Sequence, residues 1–170
     1  MLKYIPLLLV AQLLVVAAKP TNPQLLNSDD PVQMELERQA KAETVQLLNS
    51  LFRSQIAYFS EVKAALNPQT KRFQDISLYI TRLAQAIAEQ ELDRKDQLWQ
   101  NIFEQFKDSP LLINRESETG LTDLQYKAVL TGQKLQDIST KFVKDVADYF
   151  WEMAKISGQV VSNGIANQNE

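Results

Sequence analysis

Between Pro31 and Leu66 the apolar residues Leu36, Ala40, Leu47, Leu48, Leu51, Phe52, Phe59, Val62 and Leu66 recur three and four positions apart, with Glu37, Arg38, Lys41, Arg53 and Glu61 elsewhere around the wheel. This spacing predicts an amphipathic helix of roughly 36 residues, about 54 Å at 1.5 Å per residue. Asp30-Pro31 supplies a start signal: the Asp side chain accepts from an orphan backbone N–H, and Pro at the first helical position has no donor to leave unmet. The same polar-then-proline pair recurs at Asn67-Pro68 and Ser109-Pro110 and divides the chain into segments. Asn67-Pro68 closes the first helix and opens the next with almost no loop, which favours an antiparallel hairpin.

The second segment, 68–107, sets Phe73, Ile76, Ile80, Leu83 and Ile87 on one stripe, then Leu92, Trp99, Ile102, Phe103 and Phe106 on a shifted one. Between them, over 89–97, the stripe thins to Leu92. Continuing the first stripe by heptads puts Arg94 in the core, so the seam shifts, the helix bends or two helices meet. One bent helix is the reading adopted, because no residue in the stretch breaks a helix. A connector over 108–121 follows, with room for one helical turn at 110–114. Thr122 and Gln125 then form a capping box, with Leu121 able to staple onto Tyr126. From there Leu124, Ala128, Thr131, Leu135, Ile138, Phe142, Val146, Tyr149 and Met153 step along one face to about Ser157. Asp137, Lys141 and Asp145 are spaced on the outer face for i,i+4 pairs. Gly158 is expected to end the helix, leaving 159–170 as a flexible tail. No alternating run bounded by turn residues suggests a strand. The expected fold is all-α, an up-down-up bundle of three long amphipathic helices over 30–158, or four if the second is broken near 89–97.

Residues 1–18 carry Lys3 and an apolar run of about thirteen residues from Tyr4 to Val16, short of the roughly 20 that a transmembrane helix needs. Val16 and Ala18 fit a signal-peptidase site, so the expectation is a cleaved signal peptide, export from the cell, Lys19 as the mature N-terminus and an irregular leader over 19–29. Cleavage takes the formal net charge from −3 to −4. The chain has no cysteine, so an exported domain must be held by packing alone, and it has no Asn-X-Ser/Thr sequon for N-glycosylation.

Composition narrows the function mainly by exclusion. Without histidine or cysteine there is no Ser-His-Asp triad, imidazole base, thiolate nucleophile or zinc knuckle. Acids outnumber bases 21 to 18 at a pI near 5.1, the wrong balance for nucleic acid. Glu89, Asp93 and Asp96 share a helical face, but beside Arg94 and Lys95 they read as solvated rather than as an acid/base pair. The expectation is a protein that is no enzyme and takes no cofactor or metal.

The aromatic residues are the candidate binding positions: Trp99, Phe103 and Phe106 in one cluster, Tyr149, Phe150 and Trp151 in another, with Phe52, Tyr58 and Phe59 as a third group. Consecutive residues lie about 100° apart on a helix, so at least one of Tyr149, Phe150 and Trp151 must sit at the core edge or outside it. Two functions follow. One is a secreted carrier binding an apolar ligand or a lipid surface with its amphipathic helices. The other is a secreted factor that binds another extracellular protein through an exposed aromatic patch. An exposed patch centred on Trp151 or Trp99 favours a protein partner, an enclosed cavity favours a small apolar ligand, and homodimerisation through such a patch is a third possibility. In composition and helical pattern, with no shared residue motif, the chain resembles the exchangeable apolipoproteins, although its helices are longer, fewer and richer in aromatic residues. That resemblance implies a helical bundle that engages lipid.

Overall fold

A computed structural model describes residues 31–106 and 111–166, with side chains described as far as Gln159. The expected signal peptide, the 19–29 leader, the Asp30 cap, Ser109-Pro110 and the last four residues lie outside the described residues. Among these the protein is all-α: α1 (Pro31–Ala64), α2 (Lys71–Ala88), α3 (Leu92–Phe106), α4 (Glu116–Thr119), α5 (Asp123–Leu130) and α6 (Gln133–Ala166). The chain forms two compact units. Unit 1 draws on residues up to Leu48 and from Val143, and unit 2 comprises Asn49–Phe142.

The long first helix forms where its apolar spacing predicts, and Leu36, Leu47, Leu48, Leu51, Phe52, Phe59, Val62 and Leu66 are all buried. The second segment differs from expectation at both its start and its middle. Asn67 accepts from the Gln69 N–H through Oδ1 and from the Thr70 N–H through its carbonyl, which makes a turn rather than a first helical residue at Pro68. The cap is Thr70, whose side chain accepts from the Phe73 N–H.

In the middle, two helices meet instead of one bending. Glu89 is extended (φ −70°, ψ 132°), and its Oε1 accepts from the N–H groups of Gln90 and Glu91 at 2.8 and 2.9 Å. These bonds hold the Glu89 carboxyl below its usual pKa and give the chain a local alternative to the helix. Glu89 is therefore separated from Asp93 and Asp96 by the break, and the three do not share one helical face.

The break exposes carbonyls at the end of α2 that have no helical partner. Lys95, not Arg94, turns inward to meet them. Its ammonium donates to Ala86 O (2.6 Å), Ile87 O (3.4 Å) and Asn49 Oδ1 (2.8 Å), and lies 5.9 Å from the Phe52 ring centroid. The side chain is fully buried. An unpaired ammonium in such a place costs several kcal/mol, but here three donors meet three acceptors at the negative end of a helix dipole.

A second buried cation organises the connector. Arg72, also fully buried, donates to Glu118 Oε2 (2.8 Å), Ile113 O (2.9 Å) and the Tyr126 hydroxyl (3.4 Å), while the Tyr126 hydroxyl donates to Leu111 O. The Asn114 amide donates to Leu121 O and Asp123 Oδ1, and the Thr119 hydroxyl donates to Asn114 Oδ1. Gly120 adopts φ 68°, the left-handed conformation that ends α4 and that other residues avoid. The helical turn of this connector is thus Glu116–Thr119, later than the sequence suggests.

The capping box of Thr122 and Gln125 forms as expected. The helix it starts stops at Leu130, however. Thr131 returns its hydroxyl to Lys127 O and Gly132 contributes no side chain, so the phase of the apolar stripe resets. Leu124 is consequently 78% exposed and Tyr126 takes the buried place. Gly158 does not end α6, which runs on to Ala166; a glycine only weakens a helix interior by about 1 kcal/mol.

Unit 2 holds a dense core. Phe52 and Trp99 lie 5.4 Å apart, and Tyr58, Phe59, Tyr79 and Phe106 make a run of edge contacts at 5.1 to 5.3 Å. In the described part of unit 1, Leu47 and Tyr149 are buried together, with Val146 and Met153 packed on them. Thr44 gives its proton to Ala40 O, so the Tyr149 hydroxyl donates to Thr44 Oγ1 at 3.3 Å.

Replacing Arg72 by Ala leaves Glu118, the Ile113 carbonyl and the Tyr126 hydroxyl facing a void and is expected to cost about 3–5 kcal/mol in urea unfolding; Lys at this position lacks the planar fork and should not restore the loss. Burial lowers the Lys95 pKa below its ordinary 10.5. The unfolded chain therefore binds more protons than the folded one as pH approaches 10.5 from below, and Lys95 becomes less of a burden as pH rises. The stability of the native protein relative to Lys95→Met is expected to increase with pH across the alkaline range, measured by paired urea titrations.

Candidate functional site

The six aromatic candidates fall into separate environments. Trp99 is 4% exposed and packed at a tilt against Phe52, a core residue of unit 2, while half-buried Phe106 rests edge-on against buried Tyr79 at the core's edge. Phe103, on the same helix, is exposed. In unit 1, Tyr149 is buried through its ring and its hydroxyl bond to Thr44. Phe150 and Trp151 are 52% and 65% exposed, as consecutive aromatic residues on one helix require. Phe150 leans on Tyr149 with ring centroids 5.5 Å apart, which joins the exposed pair to the core.

Phe150 and Trp151 do not stand alone. Val143 is 65% exposed, and Ala147 and Ala154 are exposed as well. At about 100° per residue, Phe150, Val143, Ala154, Ala147 and Trp151 follow one another across an arc of roughly 100°, beside the buried seam of Val146, Tyr149 and Met153. This part of α6 thus carries two apolar sectors, one covered and one open. With 150–250 Å² on each aromatic side chain, the open sector presents on the order of 350 Å² of apolar surface, comparable to the largest patch on an ordinary monomer.

The charges around this band are ordered. Among residues 143–159, Lys144 and Lys155 come first beyond Trp151, at roughly 20° and 40° further round, and Asp148, Glu152 and Asp145 follow at roughly 60°, 100° and 120°. The Lys155 ammonium lies 5.6 Å from the Trp151 ring centroid and 2.7 Å from Glu152 Oε1. Lys144 is exposed and makes no ion pair among the described residues. On the opposite border, Phe150 leads directly into the seam.

Phe150 and Trp151 are among the aromatic candidates legible in the sequence, whereas Val143, Ala147, Ala154 and the two lysines are not. The signal was present: 143, 147, 150 and 154 repeat the helical spacing of 142, 146, 149 and 153 one residue later. Among the described residues no group of three or more carboxylates could hold a metal ion, and no helix is long and apolar enough to cross a membrane. No known protein family, curated protein or solved structure matches the chain.

The contrast between the two sectors of α6 has a direct measure. Phe142, which is buried, should cost about 3–5 kcal/mol when replaced by Ala, whereas Trp151→Ala should change unfolding free energy by less than about 1 kcal/mol. Equal losses in guanidinium titrations would place Trp151 in the core and remove the band.

Proposed function

We propose that the protein acts outside the cell, without bond-making chemistry, by laying the α6 band of Val143, Ala147, Phe150, Trp151 and Ala154 onto a lipid surface. The observation that carries this reading is an open apolar sector on a single helix whose nearest bordering charges are lysines, with the acids further round. An interfacial helix has this layout: apolar side chains enter the acyl boundary, an indole sits at its edge, and lysine stems lie along the border with their ammonium groups in water. Covering about 350 Å² of apolar surface at roughly 25 cal/mol per Å² offers a gross gain of several kcal/mol, enough for reversible attachment after the cost of immobilisation.

An exposed patch centred on Trp151 is the feature that the sequence led us to expect of a protein partner, and Trp is enriched in interface hot spots. The band itself separates the two readings. A protein interface makes about one hydrogen bond per 100–200 Å², and the only side-chain polar group within this band is the Trp151 indole N–H. Lipid acyl chains ask for no more than that.

The test uses the protein's own fluorophores, because of its two tryptophans Trp99 is buried and Trp151 is exposed. With phospholipid vesicles, the protein is expected to float with the lipid and its emission to shift to the blue, and Trp151→Ala should abolish the shift and weaken flotation. Failure to float with zwitterionic or anionic vesicles at every lipid ratio would overturn the lipid reading in favour of a protein partner.

A further inference from the structure

We infer that the lipid surface this band selects is anionic, with Lys144 and Lys155 as the residues that sense headgroup charge. The inference rests on the reading that the band meets lipid, and it adds the chemistry of the surface.

Once the band faces a membrane, the border beyond Trp151 faces the headgroups. The first charges met there are the ammonium groups of Lys144 and Lys155, which stand eleven residues apart, about 16 Å along the helix. Asp148 follows about 20° beyond Lys155, Glu152 is held 2.7 Å from the Lys155 ammonium and Asp145 is turned further round the helix, so the two ammonium groups are the charges nearest the headgroup plane. The headgroup plane therefore meets positive charge locally, although the whole chain carries a net charge of −3. That overall charge makes the expectation specific: an acidic protein approaching an anionic membrane without this local layout would be repelled.

The two lysines differ. Lys155 is shared between Glu152 Oε1 and the Trp151 ring, which ties its charge to the edge of the band and partly neutralises it. Lys144 has no carboxylate partner among the described residues and is the stronger sensor. A juxtamembrane lysine contributes about fivefold in affinity for an anionic leaflet. The pair should therefore give a preference of roughly five- to thirtyfold over a zwitterionic surface, falling as salt is added.

The experiment compares binding of the full chain to phosphatidylcholine vesicles and to otherwise identical vesicles in which part of the phosphatidylcholine is replaced by phosphatidylglycerol, followed by Trp emission and co-flotation. The native protein should prefer the anionic vesicles. Lys144→Gln/Lys155→Gln should bind phosphatidylcholine as before and lose most of the preference, with the larger share lost at Lys144. Lys127→Gln/Lys134→Gln, which removes the same charge from unit 2, should keep the preference. Inorganic phosphate should not displace the protein, because the site is a border on a surface and not a closed anion pocket. Equal binding to both vesicles would overturn the inference and leave the lipid reading in place. A preference that survives in Lys144→Gln/Lys155→Gln, or is lost equally in Lys127→Gln/Lys134→Gln, would overturn the assignment to these lysines. Absence of binding to either vesicle would overturn both.

Discussion

A helix can turn only one face towards a core, and α6 carries apolar side chains on two. Over residues 143–154 the seam of Val146, Tyr149 and Met153 is covered, while Val143, Phe150 and Trp151 remain in water. Leaving large apolar groups exposed is unfavourable in the isolated molecule. The neighbouring helical stretch shows no need for it: over Gln133–Phe142 the equivalent sector passes through Gln136 and Thr140, which are polar. The open apolar sector thus begins at Val143, and the function proposed for the protein follows from it.

The two units are specified to different degrees. Unit 2 has no cysteine and, among its described residues, no side-chain cluster that could hold a metal ion, yet its turns are fixed by buried cations: Lys95 on the last carbonyls of α2, and Arg72 on Glu118, Ile113 O and Tyr126. Each replaces a covalent staple with a set of directional hydrogen bonds, and each becomes costly as soon as a partner is missing. The described part of unit 1 relies instead on a small apolar cluster and the bond from Tyr149 to Thr44.

The helical class and the extent of α1 were legible because a strong 3.6-residue period runs for many turns without glycine or proline. The capping box at Thr122 was legible because its chemistry is local. The break after Ala88 was not, since its cause is the meeting of Glu89 with its own backbone and of Lys95 with carbonyls eight and nine residues earlier. A lysine also reads as a surface residue until a helix end is placed beside it. Leu124 was misplaced because the period was carried across Thr131-Gly132, where the phase resets. At the candidate site, the crowding of Tyr149, Phe150 and Trp151 announced that something must face outward. Which of them does so depends on Thr44, more than one hundred residues away, whose hydroxyl accepts from Tyr149.

The depth of Trp151 in a bilayer tests the central claim most directly. In vesicles containing phospholipids brominated at defined positions along the acyl chain, the account predicts strong quenching of Trp151 emission by bromine near the headgroup boundary, with Trp99 unaffected. Quenching of neither tryptophan, or of Trp99 alone, would contradict it.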